Sequence, residues 1–484
     1  MAYENGGGAF LVPYLIALLS AGIPVLLLDY SIGHRFRGSA PTALRRLAGG
    51  AGGEALGWFQ VAISFAIILY YTVIIAWSLS YLVFSLTVAW GDDPAAFFVG
   101  EYLQAADAGF SLDVVPSVLI PLLLVWVVVL AILALGVQKG LERANLVFLP
   151  LLALLFLTLV VRALFLDGAL DGLNAFFTPN WAALADPGVW VAAYSQIFFS
   201  LSIAFGIMIT YSSYLKRRSN LASTGLVVGF ANSSFEILAG IGVFAALGFM
   251  AAQGGTTVAE LEGITGVSLA FIAFPQIISM MPGGPVFGVL FFGSLTLAGL
   301  TSLLSILQVV SAAFQEKFGL SVRQGAIRIG AVAAVVSLAL FSTTTALPVL
   351  DTVDKYVNEI GVMFSAIATA VLVTWVVRRL PELQAHLNAV SSLRIGTWWR
   401  VLIGLVVPAV LAYIMISGIL TLLDEGYGGY PAWFTNLLGW GVVAALPVSA
   451  AVLTALRWRH DVDTFTPDAL PGAHPGGSRT GARR

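Results

Sequence analysis

The chain has 484 residues, of which 59% are hydrophobic and only 10% charged, with a formal net charge of -2 and a mean hydropathy of +0.94. A soluble protein of this length needs far more charge to cover its surface, so lipid is the solvent for most of the chain. The charge balance argues against nucleic acid as a partner, and the absence of cysteine excludes disulfides, thiolate metal sites and cysteine nucleophiles.

Apolar segments long enough to cross about 30 Å of hydrocarbon fall at 10–33, 57–88, 115–136, 144–166, 188–215, 222–250, 285–315, 325–347, 355–377, 396–423 and 431–456. Each is expected to be helical, because lipid offers no partner to an unpaired backbone amide. That predicts an all-α membrane protein with eleven full transmembrane helices. The linkers alternate in charge. Arg35, Arg37, Arg45 and Arg46 follow the first span, Lys139 and Arg143 the third, and Lys216, Arg217 and Arg218 the fifth. Lys317 and Arg323 follow the seventh, Arg378, Arg379 and Arg394 the ninth, and Arg457 and Arg459 the eleventh. The other linkers hold Asp92, Asp93 and Asp107, Asp167 and Asp171, Glu260 and Glu262, and Asp424 and Glu425. The positive-inside rule makes the basic linkers and the C-terminus cytoplasmic in a multi-pass cell-membrane protein.

The same rule puts Met1 outside, with no basic leader after it, and a further span before Met1 would repair the topology. Residues 1–459 read as one transmembrane domain. Within it, 251–284 is an external linker, with Gly254, Gly255 and Pro282-Gly283-Gly284, that folds back onto the membrane face. Residues 460–484, rich in Pro, Gly, Arg and Asp, read as a disordered cytoplasmic tail.

Polar groups within spans are costly and mark functional positions. The densest cluster is Gln196, Ser200, Ser202 and Gly206 in span 188–215. Its hydroxyls and glycine weaken a helix at mid-membrane, and an interrupted helix exposes carbonyls to a cation. Taken alone, a serine-lined helix contact explains it slightly better. A second cluster, Ala298-Gly299-Leu300-Thr301-Ser302, offers hydroxyl and carbonyl oxygens to a hard monovalent cation, with small-residue packing an equal alternative. In the third, Asn232 and Glu236 share a helix face, and burying Glu236 needs something to offset its cost.

Asp29, Asn358 and Glu359 are weaker candidates, close enough to span ends that contact with water is a simpler explanation; for Tyr71, capping a ligand or a carbonyl competes with aromatic packing, the commoner explanation. Histidines at 34, 386, 460 and 474 fall in or near loops. No phosphate loop, metal-spaced His pair or nucleophile–base set is present, so no enzyme is predicted.

These clusters align with a known pattern. Glu4-Asn5-Gly6-Gly7-Gly8-Ala9-Phe10, Pro13-Tyr14 and Gly22-Ile23-Pro24 resemble the turn and second helix of neurotransmitter:sodium symporters. Gly136 to Arg143 is similar to their loop between helices four and five, Asp186 to Trp190 with Gln196 to Phe199 to the entry of helix six, and Ala298 to Ser302 to helix eight. The match runs in order over roughly the first 380 residues and is fainter beyond.

The resemblance implies an inverted-repeat sodium symporter fold, with a remnant of the family's helix one before Phe10. It implies a substrate site of Ile67, Tyr71, Phe199, Ser200, Ser202, Phe205, Ser302 and Ile306, with Tyr71 on the substrate carboxylate and Phe199 as lid. One sodium ion would be held by Ser200 and Asn232, a second by Ala298, Thr301 and Ser302. Glu236 stands where chloride-dependent members carry Ser, which implies chloride independence. Gln196 and Asp354 are implied as outer-gate residues, Tyr214 and Glu316 as inner-gate residues.

The pattern is departed from at Ala204, where a hinge glycine is usual, and at Ser200, which replaces Thr. The implied activity is sodium-coupled symport of a neutral, apolar amino acid, with Ile67 trimming space for large ones. Sodium is the only cofactor expected, and lipid and substrate are the partners, with a homodimer left open. The alternatives are a transport-incompetent truncated or regulatory protein of the same fold, and a proton-coupled transporter using Glu236.

Overall fold

Hydropathy sets helix length here. The computed structural model describes residues 5–136, 140–261 and 266–467. Met1, Glu4, Lys139, Glu262 and residues 468–484, all named above, lie outside them. The chain opens with α1 (Gly8–Phe36), a short elbow α2 (Ala40–Ala48), α3 (Ala51–Phe84), α4 (Pro116–Ala134), α5 (Glu142–Leu164) and α6 (Ala169–Phe177). It continues with α7 (Pro187–Ser200), α8 (Ile207–Ser213), α9 (Leu221–Gly254), α10 (Gly266–Met280) and α11 (Gly284–Phe318). It closes with α12 (Val322–Phe341), α13 (Ala346–Val376), α14 (Leu380–Val390), α15 (Thr397–Asp424) and α16 (Ala432–Ala455).

Ten helices among the described residues are continuous, long and apolar enough to cross a membrane. The expected span 188–215 is the exception, because it consists of two short helices, α7 and α8, with residues 201–206 between them. The linker expected at 251–284 is largely helical too: α9 runs on to Gly254, and Val258–Glu260 and α10 follow.

Three wide turns, Leu18–Gly22, Leu269–Ala273 and Leu402–Val406, each end two residues before a proline (Pro24, Pro275, Pro408). Proline has no N–H for the carbonyl four residues back and its ring presses on that carbonyl, so the helix shifts locally to five-residue closure.

α3 is the central post, packed on α2, α4, α11, α12 and α16, while α1 packs on α8 and α9. The contact of α1 with α8 depends on Gly33: a Cβ there would stand 2.0 Å from the Ile209 carbonyl oxygen. The buried apolar residues form two main clusters. One gathers round α3 and α11 (Trp77, Tyr81, Phe271, Phe292), the other round α1 and α7 (Leu26, Leu27, Ile197, Phe198). Residues 201–206 lie on the seam: Leu201, Ile203 and Ala204 belong to the second cluster, Phe205 to the first.

Toward the end carrying the basic linkers, α3 and α11 are joined by a buried ion pair, Glu54 with Lys317, both side chains 0% exposed. Glu54 also accepts from Arg45 at 2.6 Å, Trp58 at 3.1 Å and Trp458 at 2.9 Å. Residues 460–467, expected to be disordered, carry contacts of their own. Arg45 pairs bidentately with Asp463 at 2.9 and 2.7 Å, and Arg46 lies over the Phe465 ring at 4.2 Å.

Removing one partner of a buried pair strands the other, at a cost of about 3–5 kcal/mol. Glu54 keeps Arg45 when Lys317 is lost, whereas Lys317 has Glu54 as its carboxylate partner, so Glu54→Gln is expected to lower the unfolding temperature markedly in detergent, and adding Lys317→Met to recover most of the loss. A Glu54→Gln protein that melts with the parent would contradict the role given to this pair.

Candidate ion and substrate site

The site begins with the break between α7 and α8. Ser202 (φ 52), Ala204 (φ 70) and Gly206 (φ 86) all take positive φ. Only the glycine does so without strain, and each other residue costs on the order of 1–3 kcal/mol. At this depth the freed amides and carbonyls need partners, and three other helices supply them. Asp29 on α1 accepts from the Ala204 N–H at 3.2 Å. Ser365 on α13 donates to the Ala204 carbonyl at 2.5 Å, and Ser64 on α3 donates to the Phe205 carbonyl at 2.8 Å. Thr210 donates back to the Gly206 carbonyl at 2.8 Å.

Asp29, a weaker candidate for which water contact was the simpler explanation, is 1% exposed and bonded to the break. The sequence carried a signal for it, a carboxylate within an apolar run. Ser64 and Ser365 were not singled out, since lone serines in long spans are commonplace.

Two polar rungs tie α7 to α9. Asn232 donates its amide to the Ser200 hydroxyl, and one helical turn on, Gln196 donates to Glu236 at 3.3 Å. The pairs 232 with 200 and 236 with 196 run antiparallel at i, i+4 spacing on both helices, so the pattern on each helix matches the other. Glu236 also accepts from the Tyr14 hydroxyl, beside a cavity of about 170 Å³ walled by Phe10, Phe176 and Phe244. Gln196 borders this cavity and a second one of about 430 Å³, which Phe199, Asp354, Lys355, Asn358 and Glu359 also line. Asp354 accepts from Asn358 at 2.8 Å. Phe199, assigned as a lid, is 55% exposed and forms part of that cavity wall.

On α11, Thr301 donates to the Ala298 carbonyl at 2.8 Å, and Ser305 donates to the Thr301 carbonyl at 3.1 Å and accepts from Tyr211 at 3.0 Å. Tyr71 on α3 reaches Ser302. Ile67, Phe205 and Ile306 are buried together in the α3–α11 cluster. The donor sets at 200/232 and 298/301/302 contain hydroxyl, amide and carbonyl oxygens with no sulfur or imidazole, which suits a small hard cation.

At the end with the basic linkers, Tyr214 and Glu316 hold different elements. Tyr214 accepts from Gln308 at 3.1 Å. Glu316 caps the N-terminus of α2, accepting from the Ser39 N–H at 3.0 Å, the Ser39 hydroxyl at 2.6 Å and Thr42.

A bundle of apolar helices with one broken span can be compared with known proteins. The model of the sodium:neurotransmitter symporter family matches residues 1–101 and 91–461. A protein of Methanocaldococcus jannaschii, described as an uncharacterized sodium-dependent transporter, is 38% identical over 432 residues, covering 89% of this chain and 87% of the relative. The chain therefore belongs to the sodium:neurotransmitter symporter family, and is a multi-pass, sodium-coupled membrane transporter.

Proposed function

We propose that the protein carries a neutral, apolar amino acid together with two sodium ions by alternating access, without chloride, with its basic linkers in the cytoplasm. The observation that carries this reading is the pair of rungs between α7 and α9. Ser200 and Asn232 offer neutral oxygens beside the break, where one sodium ion would sit. The second ion would take the Ala298 carbonyl and the hydroxyls of Thr301 and Ser302, which stand on successive positions of one face of α11. Both hydrogen bonds now made within these sets join groups whose oxygens would turn to the ion.

The substrate would lie between the break and α3. Ile67, Phe205 and Ile306 form an apolar wall for its side chain, Tyr71 meets its carboxylate, and Ser200, Ser202 and Ser302 complete the polar edge. Phe199 would swing from the wall of the outer cavity to cover it, with Gln196 and Asp354 closing above. Tyr214 and Glu316 would close the opposite side. The sodium gradient and membrane potential supply the drive, about 2.3 kcal/mol per charge per 100 mV. Two sodium ions and the substrate would stabilise the outward-facing form by their differential affinity for it, after which the outer gate closes and the inner gate releases them.

Glu236 supplies a fixed negative charge next to the first ion's ligands, which takes the place of an anion. A proton carried by the same carboxylate is the competing reading, and sodium-independent uptake driven by a proton gradient would favour it.

Asn232→Ala and Thr301→Ala should each raise the sodium concentration for half-maximal substrate binding about tenfold, corresponding to about 1.4 kcal/mol. Scintillation-proximity binding across a sodium titration reads this, and unchanged sodium dependence in both variants would refute the ligand assignment. Glu236→Ser should make substrate binding depend on added chloride, whereas the parent binds equally in chloride and gluconate. Chloride-dependent binding by the parent would contradict the role of Glu236.

A further inference from the structure

Near the basic-linker end, α13 and α15 run antiparallel and both widen at the same level. The five-residue turns Leu372–Val376 and Leu402–Val406 touch each other. The second precedes Pro408, but the first has no proline until Pro381, beyond the end of α13. A wide turn with no proline to cause it is found mostly at functional positions. The two turns are fitted together: a Cβ on Gly404 would stand 2.9 Å from the Thr374 methyl, and Trp375 donates its indole N–H to the Gly404 carbonyl at 2.9 Å.

The ends of the two helices carry unresolved charge. Just past α13, Arg378 takes φ 56, a left-handed conformation that strains any residue with a Cβ. α15 is held at its start by buried Trp399, which donates to the Pro24 carbonyl of α1 at 3.0 Å. No side chain caps that start at Gly396 and no acid stands in its first turn; Arg394 precedes it and Arg400 follows. Cations oppose the positive end of a helix dipole. Four residues along each chain from the Thr374–Gly404 contact, Arg378 and Arg400 come to one level.

These cations lack partners. Arg400 Nε is sealed from solvent with no acceptor, and the Thr374 hydroxyl is likewise buried and unbonded. Arg378, Arg394 and Arg400 have no carboxylate within ion-pair distance among the described residues. Glu382, the only acid between Glu359 and Asp424, is engaged with Arg35 at 3.0 Å and Arg379 at 3.9 Å. Lipid lies alongside instead. Trp375 and Trp398 are 61% and 48% exposed, and exposed Val401 and Leu405 continue the Trp398 stripe up α15 at i, i+3 and i+7. Half-exposed indoles at a span end mark the headgroup level, with hydrocarbon beyond them.

We infer that the cleft between the ends of α13 and α15 binds one anionic glycerophospholipid from the leaflet on the basic-linker side. Its phosphate sits between Arg378 and Arg400 at the start of α15, and its acyl chains lie along Val401 and Leu405. The phosphate gives Arg400 the acceptor it lacks and puts negative charge at the positive end of a helix. Arginines that only signal topology need do no more than reach water. That signal explains neither a sealed Nε, nor a left-handed Arg378, nor a wide turn without proline. The bound lipid ties α15 to α13, the helix that sends Ser365 to the break.

Native mass spectrometry of the full chain in detergent micelles, without sodium or amino acid, tests the site with dioleoyl-phosphatidylglycerol, dioleoyl-phosphatidylcholine and inorganic phosphate. The parent should retain one phosphatidylglycerol about thirtyfold more tightly than phosphatidylcholine, and inorganic phosphate should not displace it. Arg378→Gln with Arg400→Gln should weaken phosphatidylglycerol binding about thirtyfold, the loss expected for two interfacial cations. Arg323→Gln with Arg328→Gln, at exposed positions of α12, should not. Equal retention of the two lipids, displacement by inorganic phosphate, or equal losses in the two double variants would overturn the proposal. Where the variant does not fold, the parent still decides: a phosphatidylglycerol with a diazirine near its ester should label residues 397–405, and labelling confined to other segments would contradict the site. The readout is lipid binding alone, so it stands or falls separately from sodium coupling.

Discussion

The constraint on which everything else depends is the cost of open backbone in lipid. An unsatisfied amide or carbonyl at mid-membrane costs several kcal/mol, yet residues 201–206 leave helical geometry there and place Ser202 and Ala204 at positive φ. The break persists because α1, α3 and α13 each send one side chain to it. Those three helices are thereby tied to the same six residues. It also sits on the seam between the two main apolar clusters, so a shift of one cluster against the other acts first on this segment.

The seam is braced differently on its two sides. On the α7 side, the Ser200–Asn232 and Gln196–Glu236 rungs are neutral or singly charged hydrogen bonds, and cavities border them. At the basic-linker end, the ties are dense and charged: Glu54 with Lys317 and Arg45, Glu316 on the cap of α2, and Arg37 on the carbonyls beyond α8. Charge-assisted bonds of this kind are individually stronger. The described form is thus tied by charged contacts at the end carrying the basic linkers and has a cavity of about 430 Å³ beside Gln196, Phe199 and Asp354.

Much of this was legible beforehand, for reasons that can be stated. Span positions follow from hydropathy because lipid permits only helices. The interruption near Ser200 and Gly206 was visible because hydroxyls and glycine weaken a helix, although the sequence alone left packing as the better explanation. The pairing of Asn232 and Glu236 on one face was readable from i, i+4 spacing. Their partners on α7 were not, since nothing local says which helix a face meets. Asp29 was ranked low by position: its nearness to the span end made water the simpler partner, while the fold turns it onto Ala204. Lys317 reads as an ordinary basic linker residue until α3 brings Glu54 to it, and His34 and His386 read as loop histidines until α14 folds onto α1.

The central claim is that the broken span, with the oxygens of α9 and α11, couples a sodium gradient to movement of an apolar amino acid. Proteoliposomes holding the purified protein, loaded with potassium and diluted into sodium, test it most directly. A panel of radiolabelled amino acids should show uphill accumulation of an aliphatic or aromatic one, abolished when sodium is replaced by choline. It should be enhanced by an inside-negative potential and indifferent to replacement of chloride. Accumulation that persists in choline under a proton gradient would contradict the account.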